Sequence, residues 1–120
     1  MTIQGSYSYP FNALSGVPQG SILGPLLFII YINDLPNQFT CQTLLFADDL
    51  KIFTEINSID DCSILQDDLN VLDNWCKLWQ LRLNPEKCQV FTCTRKKNKI
   101  SFNYKLNAIY NPYLKILEIF

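Results

Sequence analysis

The segment Phe46-Ala47-Asp48-Asp49 sets two adjacent carboxylates between two short apolar runs, Thr43-Leu44-Leu45 and Leu50-Lys51-Ile52-Phe53. Runs of this length, β-prone and broken by turn formers, read as the arms of a β-hairpin over roughly residues 42–54. Asp tolerates turn conformations, so the tight connection falls on the acidic pair itself. Side chains alternate along a strand, and only the turn lets neighbouring carboxylates approach one point. Two carboxylates at the tip of a rigid hairpin are hard, anionic oxygen donors of the kind Mg²⁺ prefers.

A second unusual segment lies upstream. Gly16-Val17-Pro18-Gln19-Gly20-Ser21 runs into Ile22-Leu23-Gly24-Pro25-Leu26-Leu27-Phe28. Gly and Pro mark a loop, and Ser21 can cap the helix that follows. A loop alone does not account for Gln19. The helix is expected from about Ile22 to Leu35, stopped by Pro36. Pro25 falls in its first turn, where a missing N–H costs little. The apolar run Ile22 to Ile32 is shorter than the roughly 20 residues that span a bilayer, so it reads as a buried core helix, with no membrane partner.

A longer helix should begin at Ser58, with Asp60 and Asp61 in the first turn to complement the helix dipole. Leu65, Leu69, Leu72, Cys76 and Trp79 then form one apolar stripe, which places Asp67, Asp68, Asp73 and Lys77 toward water. Helical spacing makes core packing the expected role of Trp75 and Trp79. Strands are expected at 2–5, 10–14, 87–94, 100–105 and 114–119. The basic run Arg95, Lys96, Lys97 and Lys99 reads as a solvated turn or a contact to a nucleic-acid backbone.

A chain of 120 residues with 48% apolar side chains has material for one packed domain. The five cysteines form no Cys-x-x-Cys pair and there is no His, which excludes a zinc site. An odd cysteine count without a leader peptide is expected of reduced thiols in an intracellular protein, in nucleus or cytoplasm and not secreted.

Taken together, these segments resemble the reverse transcriptase domain of retrotransposons that lack long terminal repeats, jockey-like elements of insects above all. Ser15 to Phe28 with Tyr31-Ile32-Asn33-Asp34-Leu35-Pro36 is similar to the family's block B. Phe46 to Asp49 resembles block C, its active-site hairpin, with Phe where many relatives carry Tyr. Leu69-Asn70, Trp75, Trp79 and Leu83-Asn84-Pro85-Glu86-Lys87-Cys88 resemble block D. Leu114 to Phe120 resembles the start of block E, with Glu118 where the family has Gly. Block A, which carries the first catalytic Asp, has no match here, and residues 1–14 resemble the strand pair ahead of block B.

The resemblance implies an α+β fold, a polymerase palm with a ferredoxin-like antiparallel sheet on two helices. It also implies one partial domain over 1–120, truncated at both ends, with fingers, block A and thumb absent. The implied chemistry is RNA-directed DNA polymerisation, in which two Mg²⁺ ions (Mn²⁺ substituting), roughly 3.5–4 Å apart, stabilise the attacking and leaving oxygens. Asp48 is the implied metal-bridging catalytic ligand, and Asp49 the assisting one. Gln19 and Gly20 are implied beside the incoming deoxynucleoside triphosphate and the template. Ser21 is read equally as nucleotide contact and helix cap. Phe46 and Ala47 are implied at the primer terminus, Phe46 equally as sheet packing. Lys87 is implied at the leaving pyrophosphate. The implied partners are an RNA template, a DNA primer and the missing segments of a longer protein. Three function classes stand open: a palm inactive by itself, a decayed remnant, and a small nucleic-acid-binding module on the palm scaffold.

Overall fold

The computed structural model of the chain describes residues 2–3, 6–7, 9–10, 12, 16–81, 83, 88–106 and 114–119. Its organising element is helix α2, Ile59–Leu78. Ser58 caps it as expected, in an extended conformation that turns its hydroxyl back on the first turn. Asp61 completes the box: its Oδ2 accepts the N–H groups of Asn57 and Ser58 at 2.9 and 2.8 Å. Those bonds satisfy amides that a helix start otherwise leaves bare.

The expected stripe on α2 is buried at Leu65, Leu69, Leu72 and Cys76, while Trp79 lies half exposed at the helix end. Fully burying one such aliphatic side chain contributes about 1.5–3 kcal/mol, so this face governs the helix more than its intrinsic propensity does. Two residues depart from expectation. Asp68 and Asp73, assigned above to water, are buried at 2% and 7% exposure. Asp67 and Lys77 are exposed as expected.

The hairpin forms as read: β3 (Gln42–Phe46) pairs antiparallel with β4 (Asp49–Glu55). Upstream, β1 (Thr2–Ile3) and β2 (Ser6–Tyr7) form a separate two-stranded ribbon. Residues 10 and 12 are not in a strand, and the rest of the strand expected at 10–14 lies outside the described residues. After α2 come β5 (Gln89–Cys93) and β6 (Leu114–Ile119), giving a four-stranded sheet in the order β3-β4-β6-β5.

The fold is α+β, but the sheet is mixed. The antiparallel expectation holds for the hairpin; β6 runs parallel to both β4 and β5. The reason is the crossover: a 20-residue helix between β4 and β5 returns the chain to run in the same direction. The strand expected at 100–105 is absent. There the Gln66 side chain takes the place of a neighbouring strand, donating to the Lys105 carbonyl and accepting its N–H, both at 2.8 Å.

Helix α1 spans Leu23–Ile32, shorter than the 22–35 expected. Pro36 explains the early end, because its ring clashes with the carbonyl four residues back, on Ile32. The chain continues as a short 3₁₀ turn over Leu35–Gln38 with Pro36 at its start. The core-helix expectation fails as well. Within α1 only Gly24 and Ile32 are buried, and Leu23, Leu26, Leu27, Ile29 and Ile30 are exposed. The core lies instead between α2, β4 and the 3₁₀ turn, built on Leu50, Ile52, Leu65, Leu69 and Leu72 with Ile32 and Leu35.

Candidate functional site

Phe46 pairs directly with Asp49, so Ala47 and Asp48 are the two central residues of the hairpin turn. Two-residue hairpin loops need positive φ at the first central position to match the strand twist. Ala47 meets that need at φ 51°. A residue with a Cβ in this region costs roughly 1–2 kcal/mol, and strain of this size gathers at functional positions. The rest of the hairpin therefore holds its tip in a conformation that Ala47 resists.

Register decides which way the tip residues face. Leu45 opposite Leu50 and Thr43 opposite Ile52 turn toward α2, and Leu50 and Ile52 are buried. The alternate pairs, Phe46 opposite Asp49 and Leu44 opposite Lys51, therefore belong to the outer face. Phe46 is 82% exposed, so the sheet-packing reading of that residue does not hold. Asp49 is half-buried and Asp48 is exposed in the turn. The turn thus falls on Ala47 and Asp48 rather than on the acidic pair as expected, because Asp49 pairs with Phe46 as the first residue of β4.

Could this pair hold a divalent cation? Carboxylate oxygens are the donors Mg²⁺ takes, and Mg²⁺ keeps several waters while taking one or two carboxylates plus substrate phosphates. Asp48 and Asp49 fit that pattern. Among the described residues, no group of three or more His, Cys, Asp or Glu side chains could hold a metal. The pair thus offers part of a coordination shell rather than an enclosed cage.

The loop from Gly16 to Ser21 is anchored on the start of α1. Gly20 has φ 79°, and the Ser21 N–H donates to the Pro18 carbonyl at 3.2 Å, which closes the turn. Ser21 Oγ accepts the Gly24 N–H at 3.0 Å, a capping bond made from the position before Ile22, which is the N-cap residue of α1. Gly24 is required for this closeness: a Cβ there would meet Ser21 Oγ at 3.0 Å and Val17 Cγ2 at 3.3 Å. Gln19 is exposed in the turn, and nothing lies within 4 Å of where a Gly20 Cβ would project. Lys87 lies outside the described residues.

Helix α1 links the loop to the hairpin. Its N-terminus carries the loop, while Ile29, Ile32 and Asn33 line an open apolar groove of about 440 Å³ with Pro36, Leu45, Phe46 and Ala47. The groove runs up to the hairpin tip. At its end α1 is clamped to α2: Tyr31 lies edge-on to Trp75 and Trp79, with centroids 6.1 and 5.7 Å away, and its hydroxyl donates to the Trp79 carbonyl. Trp75 is buried, as expected of core packing. The basic residues Arg95, Lys96, Lys97 and Lys99 are all exposed beyond β5.

Sequence reading missed Asp68. Its two oxygens accept the N–H groups of Thr40 and Cys41 at 2.9 and 2.7 Å, immediately before β3. The signal was present, since Asp68 is three residues after Leu65 and four before Leu72, on the buried stripe itself. Asp73 stands likewise between Leu69 and Cys76, and its Oδ2 meets Lys77 Nζ at 2.6 Å. Burial pushes the Cys41 thiol up to about 12, helped by a hydrogen bond to Asp68 and its charge, with a bond from Thr54 acting the other way. Cys76 is pushed up to about 12 by burial and the nearby Asp73 charge. Both thiols are thereby kept protonated and poorly nucleophilic.

The chain is similar to known proteins. The family described as "Reverse transcriptase (RNA-dependent DNA polymerase)" matches residues 2–105. The chain is similar to the probable RNA-directed DNA polymerase from transposon BS of Drosophila melanogaster, 39% identical over 94 residues. That match covers 71% of this chain and 10% of the relative. It is also similar to the RNA-directed DNA polymerase from mobile element jockey of Drosophila melanogaster, 31% identical over 111 residues, 82% of this chain and 12% of the relative. The jockey polymerase of Drosophila funebris is 35% identical over 89 residues, 67% of this chain and 10% of the relative. The chain thus spans about a tenth of the length of these curated relatives. No solved structure gives a significant match.

Proposed function

We propose, from the premise that this chain belongs to the reverse transcriptase (RNA-dependent DNA polymerase) family, that it forms the metal-holding part of a retrotransposon polymerase palm. The observation that carries this reading is the β3–β4 hairpin, which sets Asp48 in a strained two-residue turn and Asp49 directly after it, at the first position of β4. In this reading Asp48 is the principal metal ligand and Asp49 supports it. Mg²⁺, or Mn²⁺ in its place, supplies charge stabilisation to the attacking and leaving oxygens of nucleotidyl transfer when bound.

The remaining residues bind and orient. Phe46, outward and exposed beside the carboxylates, offers an apolar surface to the primer terminus. Ala47 adds no bulk at the tip. Gln19 offers both a donor and an acceptor to the incoming deoxynucleoside triphosphate or the RNA template. The open side of Gly20 lets a nucleotide approach the backbone. Ser21 acts first as the cap that shapes this loop. Lys87 is proposed as a donor near the leaving pyrophosphate. A third carboxylate and most phosphate-binding cations are assigned to segments beyond this sequence, and 1–120 is read as one partial palm domain. The site of action is proposed to be intracellular, in nucleus or cytoplasm.

The test is a chimera in which this sequence replaces the matching segment of the jockey polymerase, assayed for extension of a DNA primer on RNA. Extension is expected, and Asp48→Asn should lower it about 100-fold or more, as loss of several kcal/mol of charge stabilisation implies. A folded chimera that does not extend, or extension indifferent to Asp48, refutes the reading.

A further inference from the structure

We propose that Asp68 is a positioning residue: from α2 it fixes the root of the β3–β4 hairpin and so the direction in which Asp48 and Asp49 are presented. This proposal rests on the metal-holding reading of those two carboxylates. Asp68 is 2% exposed and spends both oxygens on successive backbone amides, Thr40 N–H on Oδ1 and Cys41 N–H on Oδ2. Successive amides of an extended strand point to opposite sides, so a single carboxylate can take both only where the chain bends. Thr40 and Cys41 are that bend, and β3 begins at the next residue. The planar fork of a carboxylate therefore sets both the place and the angle at which the strand leaves α2.

The second arm is tied to the same point. Gln42 pairs with Phe53, which brings Thr54, at the far end of β4, alongside Cys41. Asp68 thus ties α2 to β3 directly, and to β4 through the strand pairing, at the root of the hairpin, opposite the tip. Packing alone would not call for a carboxylate here, because burying one is costly unless it is fully bonded. Among the described residues Asp68 has no ion pair, and its two oxygens are bonded to the amides of the bend.

Leverage makes the anchor matter. From root to tip β3 spans about 17 Å at the usual strand rise, so a tilt of about 10° at Asp68 moves the tip about 3 Å. Ligand constellations tolerate only about 0.5 Å of misplacement.

The test uses the whole chain, amide hydrogen exchange and Mn²⁺ broadening of amide resonances, with Asp68→Asn, Asp48→Asn and Asp67→Asn as variants. Asp68→Asn keeps the shape but leaves one acceptor for two donors. It should speed exchange at Thr40, Cys41 and along β3 while leaving the α2 amides of Leu69 and Leu72 protected. It should also raise the Mn²⁺ concentration that half-broadens Ala47 to Leu50 roughly tenfold, the scale of one lost charge-assisted hydrogen bond. Asp67→Asn, one residue away and exposed, should change neither readout. An unchanged Mn²⁺ midpoint in Asp68→Asn overturns the proposal. If Asp68→Asn does not fold, the wild-type chain decides: Thr40 and Cys41 amides protected like the β4 ladder support the anchor, and loop-like exchange there overturns it. Undiminished broadening in Asp48→Asn instead refutes the metal-holding reading, and the exchange arm alone then judges Asp68.

Discussion

Helices α1 and α2 have opposite compositions and opposite fates. Helix α1 is apolar on nearly every side, yet its leucines and isoleucines face outward, with Ile30 at 64% exposure. Helix α2 carries five aspartates over Ile59–Leu78 and supplies the core, even burying two of those aspartates. Apolar content therefore does not by itself place a helix inside; a surface to pack against does. Helix α2 lies on β4 and the 3₁₀ turn, whereas α1 is held mainly by its Tyr31 clamp and by Ile32. Under the proposed reading, in which 1–120 is a partial palm domain, the outer face of α1 is a surface on which further chain packs.

The largest expected effect contrasts the two helices directly. Leu69→Ala, at a fully buried position on α2, should cost about 2–5 kcal/mol of unfolding free energy in urea titration. Leu27→Ala, at 49% exposure on α1, should cost well under that, about 1 kcal/mol or less. Equal losses would mean that α1 is packed in solution. A second contrast concerns association. Exposed apolar faces of this extent promote self-association, so sedimentation should show oligomers that Ile30→Lys reduces without moving the urea midpoint. A midpoint that falls with Ile30→Lys would place that side chain in the core.

Smaller effects sharpen the account of α2. Ser58→Ala removes the cap and should cost about 1 kcal/mol, seen as a lower urea midpoint. The amides of Asn57 and Ser58, then the Ser58 hydroxyl, hold the Asp61 carboxyl below its ordinary 3.8. A carboxyl lowered on folding adds stability that is present above the unfolded value and is lost as pH falls through the folded one. Urea midpoints below about pH 4 should therefore fall more steeply in the wild type than in Asp61→Asn. Identical acid slopes would remove Asp61 from the cap.

How much of this was legible beforehand depends on the range of the interaction. The Ser58 cap, the α2 stripe and the hairpin are local patterns, and each appears where spacing and turn chemistry put it. Apart from the early end of α1 before Pro36 and the one-residue shift of the hairpin turn, the failures are non-local. Asp68 stands on the buried stripe, but the period gives no reason for a carboxylate there; the bend at Thr40 and Cys41 crossing over it does. The strand expected at 100–105 has alternating character, but Gln66 satisfies its backbone instead of a partner strand. Parallel pairing of β6 follows from the crossover, which no segment of sequence states. At the site, the acidic pair and the glycine-proline loop were visible as motifs. Their connection through α1 and the groove beneath Phe46 required the fold.

The central claim is that the hairpin tip holds a divalent cation, and Mn²⁺ titration of the ¹⁵N-labelled chain tests it most directly. The account predicts that resonances from Phe46 to Leu50 broaden first, with Asp60, Asp61 and Asp67 affected only at higher concentration. Broadening that starts at Asp60, Asp61 and Asp67 while the hairpin tip stays sharp would contradict it.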